Sequence, residues 1–148
     1  MKFKNLTPFL GALLLFFTVA CKVEPQKIEY GKDQCSFCKM NVVDKTHSAQ
    51  YVTKKGKQFK FDAIECMVNE ISEKDVNDIA IFLVADYGNP GEMVDALTST
   101  YLISKAIKSP MGANLSALSS KNKAIELQTK FEGEIFTWES LKQKLADK

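Results

Sequence analysis

Histidine occurs once in the 148 residues, at position 47. That scarcity argues against histidine-based acid–base catalysis. The chain also lacks a serine-nucleophile motif and a glycine loop of the kind that cradles phosphates. It lacks a long basic run, and its Lys and Glu are scattered, so no nucleic-acid surface is expected. Its longest apolar run, residues 9–19, is too short to cross a bilayer comfortably.

What that run does have is the form of an export signal. Lys2 and Lys4 precede it, and the small Ala20 stands directly before Cys21. Ala20–Cys21 resembles a bacterial lipoprotein signal, in which the cysteine is acylated and becomes residue one. Thr18 departs from the usual leucine of that box. Residues 1–20 are therefore expected to be a signal peptide. Cys21 is expected to join membrane lipid, with the chain facing the periplasm or the cell exterior. Residues 21–32, polar and carrying Pro25, read as a flexible tether. Cleavage leaves 128 residues (148 less 20), enough for one compact domain or two very small subdomains. It also removes two lysines and takes the formal charge from +2 to zero.

Four cysteines are present. With Cys21 carrying lipid, Cys35, Cys38 and Cys66 remain. Three thiols cannot all pair within one chain, and outside the cytoplasm disulfides persist. An odd set there must be protected, buried or bound to something.

The rest of the chain reads as an α+β fold. Residues 48–62 form a hairpin around Gly56. Asp62 is expected to cap a helix, with Glu65 three residues on as in a capping box. Ile64, Met67, Val68 and Ile71 give that helix its apolar stripe. "DIAIFLVADYGNPG" is a buried strand that ends in a turn. A second pass follows: a strand in "TSTYLISK", a turn entering a helical segment in "SPMGANLSALSS", and a helix in "KNKAIELQTKF". A short strand in "GEIFTW" and a closing helix capped by Thr137 complete it. Sliding the chain by 50 residues lays Tyr101 on Tyr51, Met111 on Phe61 and Ala113 on Ala63. The expected architecture is thus two small ββαβ units, residues 33–90 and 91–148, packed together.

"DQCSFCKM" (residues 33–40) carries the chemistry. Three readings of Cys35-x-x-Cys38 compete. A redox pair would want a helix N-terminus, and "KMNVVD" has no apolar helical face; a plain Cys35–Cys38 disulfide is its structural version. Structural zinc would combine Cys35, Cys38, Cys66 and His47 in a Cys₃His tetrahedron. A soft monovalent metal would use thiolate and thioether together, which select Cu(I). Met40 lies beside Cys38, and Met111 sits in a Pro–Met–Gly turn that presents its sulfur outward. Met67 falls on the core stripe. Cys66 points away from that stripe and reads as a buried thiol, and His47 as a surface histidine.

"DQCSFCKM", "AQYVTKKGKQFKFDAIECM" and "SPMGANLSAL" together resemble the NosL family, the lipoprotein accessory factors of nitrous oxide reductase. The resemblance covers residues 33–141. It implies a tandem ββαβ fold, Cu(I) binding without catalysis, and copper delivery to an acceptor outside the cytoplasm, the reductase or its assembly transporter. The ligands it carries over are Cys35, Cys38, Met40 and Met111, with Cys66 and His47 as further candidates. Lys39 stands where glycine is usual in the first motif, and a bulkier, charged residue there is expected to change the loop.

Overall fold

The computed structural model describes residues 23–147. The expected signal segment and Cys21 lie outside them. Among the described residues, two antiparallel sheets and three α-helices make up an α+β fold. The hairpin is β1 (Ala49–Thr53) and β2 (Gln58–Phe61), followed by helix α1 (Ile64–Ser72) and strand β3 (Ile79–Ala85). A short edge strand, β4 (Met93–Asp95), completes the first sheet in the order β2-β1-β3-β4. The second sheet joins β5 (Thr100–Ile103), β6 (Leu115–Leu118) and β7 (Glu134–Phe136) in the order β6-β5-β7. Helix α2 (Lys121–Phe131) connects β6 to β7, and α3 (Trp138–Ala146) closes the chain. Among the described residues no helix is long and apolar enough to cross a membrane.

In both sheets the first strand lies between the second and the last of its ββαβ run, a topology compatible with two related units. The fixed 50-residue slide does not follow the strands. Tyr51 and Tyr101 both lie in first strands, but Phe61 ends β2 while Met111 lies in the loop before β6. The first sheet also reaches past residue 90, because β4 pairs with β3 from Leu83↔Asp95 to Ala85↔Met93.

Helix α1 forms without the expected cap. Its N-cap is Ala63 and no side chain bonds there. Ile64, Met67, Val68 and Ile71 are all buried in the main core. Each such side chain contributes about 1.5–3 kcal/mol by burial, more than the roughly 1 kcal/mol a side-chain cap would add. The carboxyls of Asp62 and Glu65 are thereby free for other partners. Thr137 does cap α3, reciprocally with Ser140.

The segment 115–118 was expected to lead into a helix and instead forms β6. It pairs with β5 on one side, and Asp86 bridges to Ala117 on the other. All four of its residues are buried, which an amphipathic helix would not allow. Leu115 and Ala117 belong to the main core with Tyr101, Trp138 and Leu141. Leu118 faces a second, smaller core with Leu102, Ile107 and Ala124 beneath α2.

Asp86 joins the two sheets. Its carboxylate accepts from Ser119 Oγ and Asn89 Nδ2, each at 2.7 Å, and from the Gly88 N–H at 3.0 Å. Burial acts to raise its pKa, and these hydrogen bonds outweigh burial and hold it below the usual value. His47, expected on the surface, is 3% exposed and lies at the same junction. Its Nδ1 meets Asp44 Oδ2 at 2.9 Å, its Nε2 meets Ser116 Oγ at 3.3 Å, and its ring tilts against Tyr87.

The expected tether is docked rather than flexible where it is described. Gln58 Nε2 donates to Glu24 O, Lys60 Nζ to Lys27 O, and Gln50 Nε2 to Gln26 O. Ile28 is buried.

Candidate metal centre

The segment after Ile28 turns at Gly31 and folds into a small loop closed by a Gln34–Asn41 bridge. Within it the Cys35 N–H donates to Met40 O at 2.8 Å, and the Lys39 N–H to Cys35 O at 3.1 Å. The Ser36 N–H donates to Lys60 O at 2.8 Å, which fastens the loop to β2. Lys39, where glycine was expected, has φ 67, in the left-handed region. Its ammonium reaches back to Ser36 O. A non-glycine residue pays a backbone cost in that region. Lys39→Gly is expected to stabilise the fold by about 1 kcal/mol. A higher urea midpoint at unchanged slope is the result to look for.

That loop carries two sulfurs to the junction of β2 and α1. Cys35, Cys38, Asp62 and Cys66 each offer one ligand atom, and these atoms all lie within 4.8 Å of one another. Asp62 follows β2 directly, and Cys66 sits in the first turn of α1. Cys35 and Cys66 are fully buried and Cys38 is half-buried; all three are free thiols.

The sulfurs are not equivalent. A hydrogen bond from Cys66 is the main cause that brings the Cys35 thiol down to about 6. Burial opposes it, and the backbone N–H groups of Asp62 and Cys38 assist. Burial pushes Cys38 up to about 11, and the bond to Cys35 together with burial pushes Cys66 up as well. The set thus concentrates negative charge on Cys35 with the other two as proton donors. Cys38 Sγ also donates to Asp62 Oδ1 at 3.3 Å. Asp62 Oδ2 is buried with no hydrogen-bond partner. Such an oxygen costs about 1–3 kcal/mol unless something positive meets it.

Of the sequence candidates, Cys35, Cys38 and Cys66 are brought together. Met40 and Met111 are on the surface, 52% and 42% exposed. Met40 contributes its backbone to the loop. Met111 lies in a turn closed by the Gly112 N–H donating to Ser109 O, with Gly112 at φ 80. It lines one cleft with Cys66 and Glu65. His47 is not part of the thiol group: both its ring nitrogens are engaged at the sheet junction. Asp62 was missed because its place before a helical stripe suits a cap equally well. The readable signal was its spacing of four residues from Cys66.

The family model described as NosL matches residues 25–146. Among solved structures, the crystal structure of the copper chaperone NosL from Shewanella denitrificans aligns with a TM-score of 0.69. The alignment covers 80% of this chain and 95% of that one at 16% identity, a likeness of fold. No curated protein matches the sequence.

Proposed function

Since this chain belongs to the NosL family, we propose that it holds one monovalent copper ion on the sulfurs beside Asp62 and hands it to a protein acceptor. The observation that carries this reading is the convergence of three free thiols on the Asp62 carboxylate, whose Oδ2 is buried without a hydrogen-bond partner. Thiolates select soft cations, and thioethers such as those of the exposed Met40 and Met111 would add weaker, easily displaced contacts. Loading releases thiol protons, because Cys38 and Cys66 hold theirs above neutral pH. The work is ligand exchange and needs no catalytic group. The family resemblance extends the proposal to its finer parts. Cys21 carries lipid on the outer side of a bacterial membrane, and the acceptor is nitrous oxide reductase or its assembly transporter.

The same four groups favour a second reading. Three thiolates and one carboxylate make a tetrahedral zinc set. Protein purified without oxygen and offered both metals separates the two. One Cu(I) per chain, retained against a large excess of Zn(II), is expected. Zinc kept in preference, with unfolding on chelation, would establish the second reading instead.

A further inference from the structure

We propose that the tip of the β1–β2 hairpin, with Lys54, Lys55 and Lys57, is a docking surface for the anionic headgroups of the membrane that carries the chain. This rests on lipid at Cys21, as proposed above, and adds a second, electrostatic contact to it. The tip holds its lysines outward on a fixed turn. The Gly56 N–H donates to Thr53 O at 2.8 Å and the Lys57 N–H to Thr53 Oγ1 at 3.0 Å, with Gly56 at φ 80. Lys54 and Lys55 therefore take the two central positions of a tight turn. The Lys54 N–H donates to Asp78 O at 2.8 Å, which fixes the turn against the residue before β3.

All three lysines are exposed, and among the described residues none of them pairs with a carboxylate. Their neighbours Lys60 and Lys74 are paired, with Asp33 and Glu70. Lys57 Nζ lies 4.8 Å from the centre of the Phe59 ring, a contact that leaves its charge in place. Asp78 meets the turn through its backbone carbonyl and not its carboxylate. Three unpaired cations thus stand within four residues of a chain whose expected mature form has no net formal charge.

Lipid is selected as the occupant by the place where the N-terminal segment meets this tip. Gln58 makes the connection. Its Nε2 donates to Glu24 O at 2.9 Å and to Gly56 O at 3.2 Å. Its Oε1 accepts from the Gln26 N–H at 3.1 Å and from Gln50 Nε2 at 2.7 Å. A glutamine amide has two donor hydrogens and two acceptor lone pairs, and all four are used. One side chain therefore binds the segment and the turn at once. Glu24 is three residues from Cys21, so acyl groups on Cys21 would enter the bilayer beside the lysines. Lysines within a Debye length of an anionic bilayer strengthen binding about fivefold each. The acyl chains set the point of attachment, and the lysines select the face turned to the lipid.

Lysine footprinting tests the surface. The full chain is reconstituted in vesicles of phosphatidylglycerol or of phosphatidylcholine and treated with a water-soluble amine-acylating reagent, and mass spectrometry reads the rate at each lysine. Lys54, Lys55 and Lys57 are expected to react at least about ten-fold more slowly on phosphatidylglycerol, with the protection fading in high salt. Lys121, exposed on α2 beside the second sheet, is expected to react alike on both lipids. Lys54→Glu together with Lys55→Glu, both on an exposed turn, is expected to abolish the protection of Lys57. Equal rates on the two lipids overturn the proposal and leave the tip to an acidic protein surface. Protection of Lys57 that survives the double substitution overturns it too, since crowding against the bilayer would then be the cause. The mass of the mature chain reports separately on Cys21. A chain without lipid there removes the anchor, and the same footprint with phosphatidylglycerol vesicles at low salt still decides the tip.

Discussion

Cys35→Ser is expected to weaken Cu(I) binding by more than about a hundredfold. Changes to groups that merely orient metal ligands already cost about 10–100-fold, and this change removes a ligand. Cys35 is the sulfur on which the loop, the start of α1 and Cys66 all place hydrogen-bond donors. A hydroxyl there stays protonated and is a hard donor, so the charge that draws the ion is lost. Cys66→Ser should fall in the same range. It removes a second thiolate and also the donor that favours the Cys35 anion. Competition against a chelator of known affinity measures both, with circular dichroism to confirm that each variant is folded. Affinity equal to that of the unaltered protein in both variants would mean that copper, if carried, is carried elsewhere.

Gly133→Ala is expected to destabilise the fold by about 3 kcal/mol or more. Gly133 has φ 126, a conformation that L side chains rarely adopt. A Cβ at this position would collide with Ile103 O and lie 3.1 Å from Ser104 Cα. Strain of this kind costs about 1–3 kcal/mol, and forcing an atom into closed packing costs about as much again. The pairing of β5 with β7, which begins at Ile103↔Glu134, is the structure that must give way. Chemical denaturation should show a much lower midpoint. A midpoint within error of the original would show that the turn can move aside.

Most of the first unit was legible in the chain. Gly56 marks the hairpin, and the Ile64–Ile71 stripe marks α1, because both patterns are local. What failed depended on contacts far along the sequence. "LSAL" has no helical or strand period of its own; pairing with β5 and the Asp86 bridge make it a strand. β4 has three residues, too few for alternation to register. In the site, the three cysteines were grouped only in the zinc reading, with His47 in the place the fold gives to Asp62. Cys66 is 28 positions beyond Cys38, and only the packing of α1 under the loop brings them together. Asp62 and Glu65 looked like one capping box, yet the fold sends one carboxylate to the sulfurs and the other to a loop 44 residues away. A carboxylate beside a helix start has several possible partners, and burial decides among them.

The docking of the N-terminal segment bears on how this protein would search for its acceptor. The first described attachment is at Glu24, whose carbonyl oxygen is held by Gln58. From Cys21 to Glu24 the backbone spans at most about 11 Å when fully extended. With lipid at Cys21, as proposed, the folded part would be moored flush to the bilayer. Its encounters would then come from lateral diffusion in two dimensions at a restricted tilt. A copper site held at a set height above the lipid meets only acceptors whose own entrance lies at a matching height, so distance from the membrane becomes a criterion of partner choice.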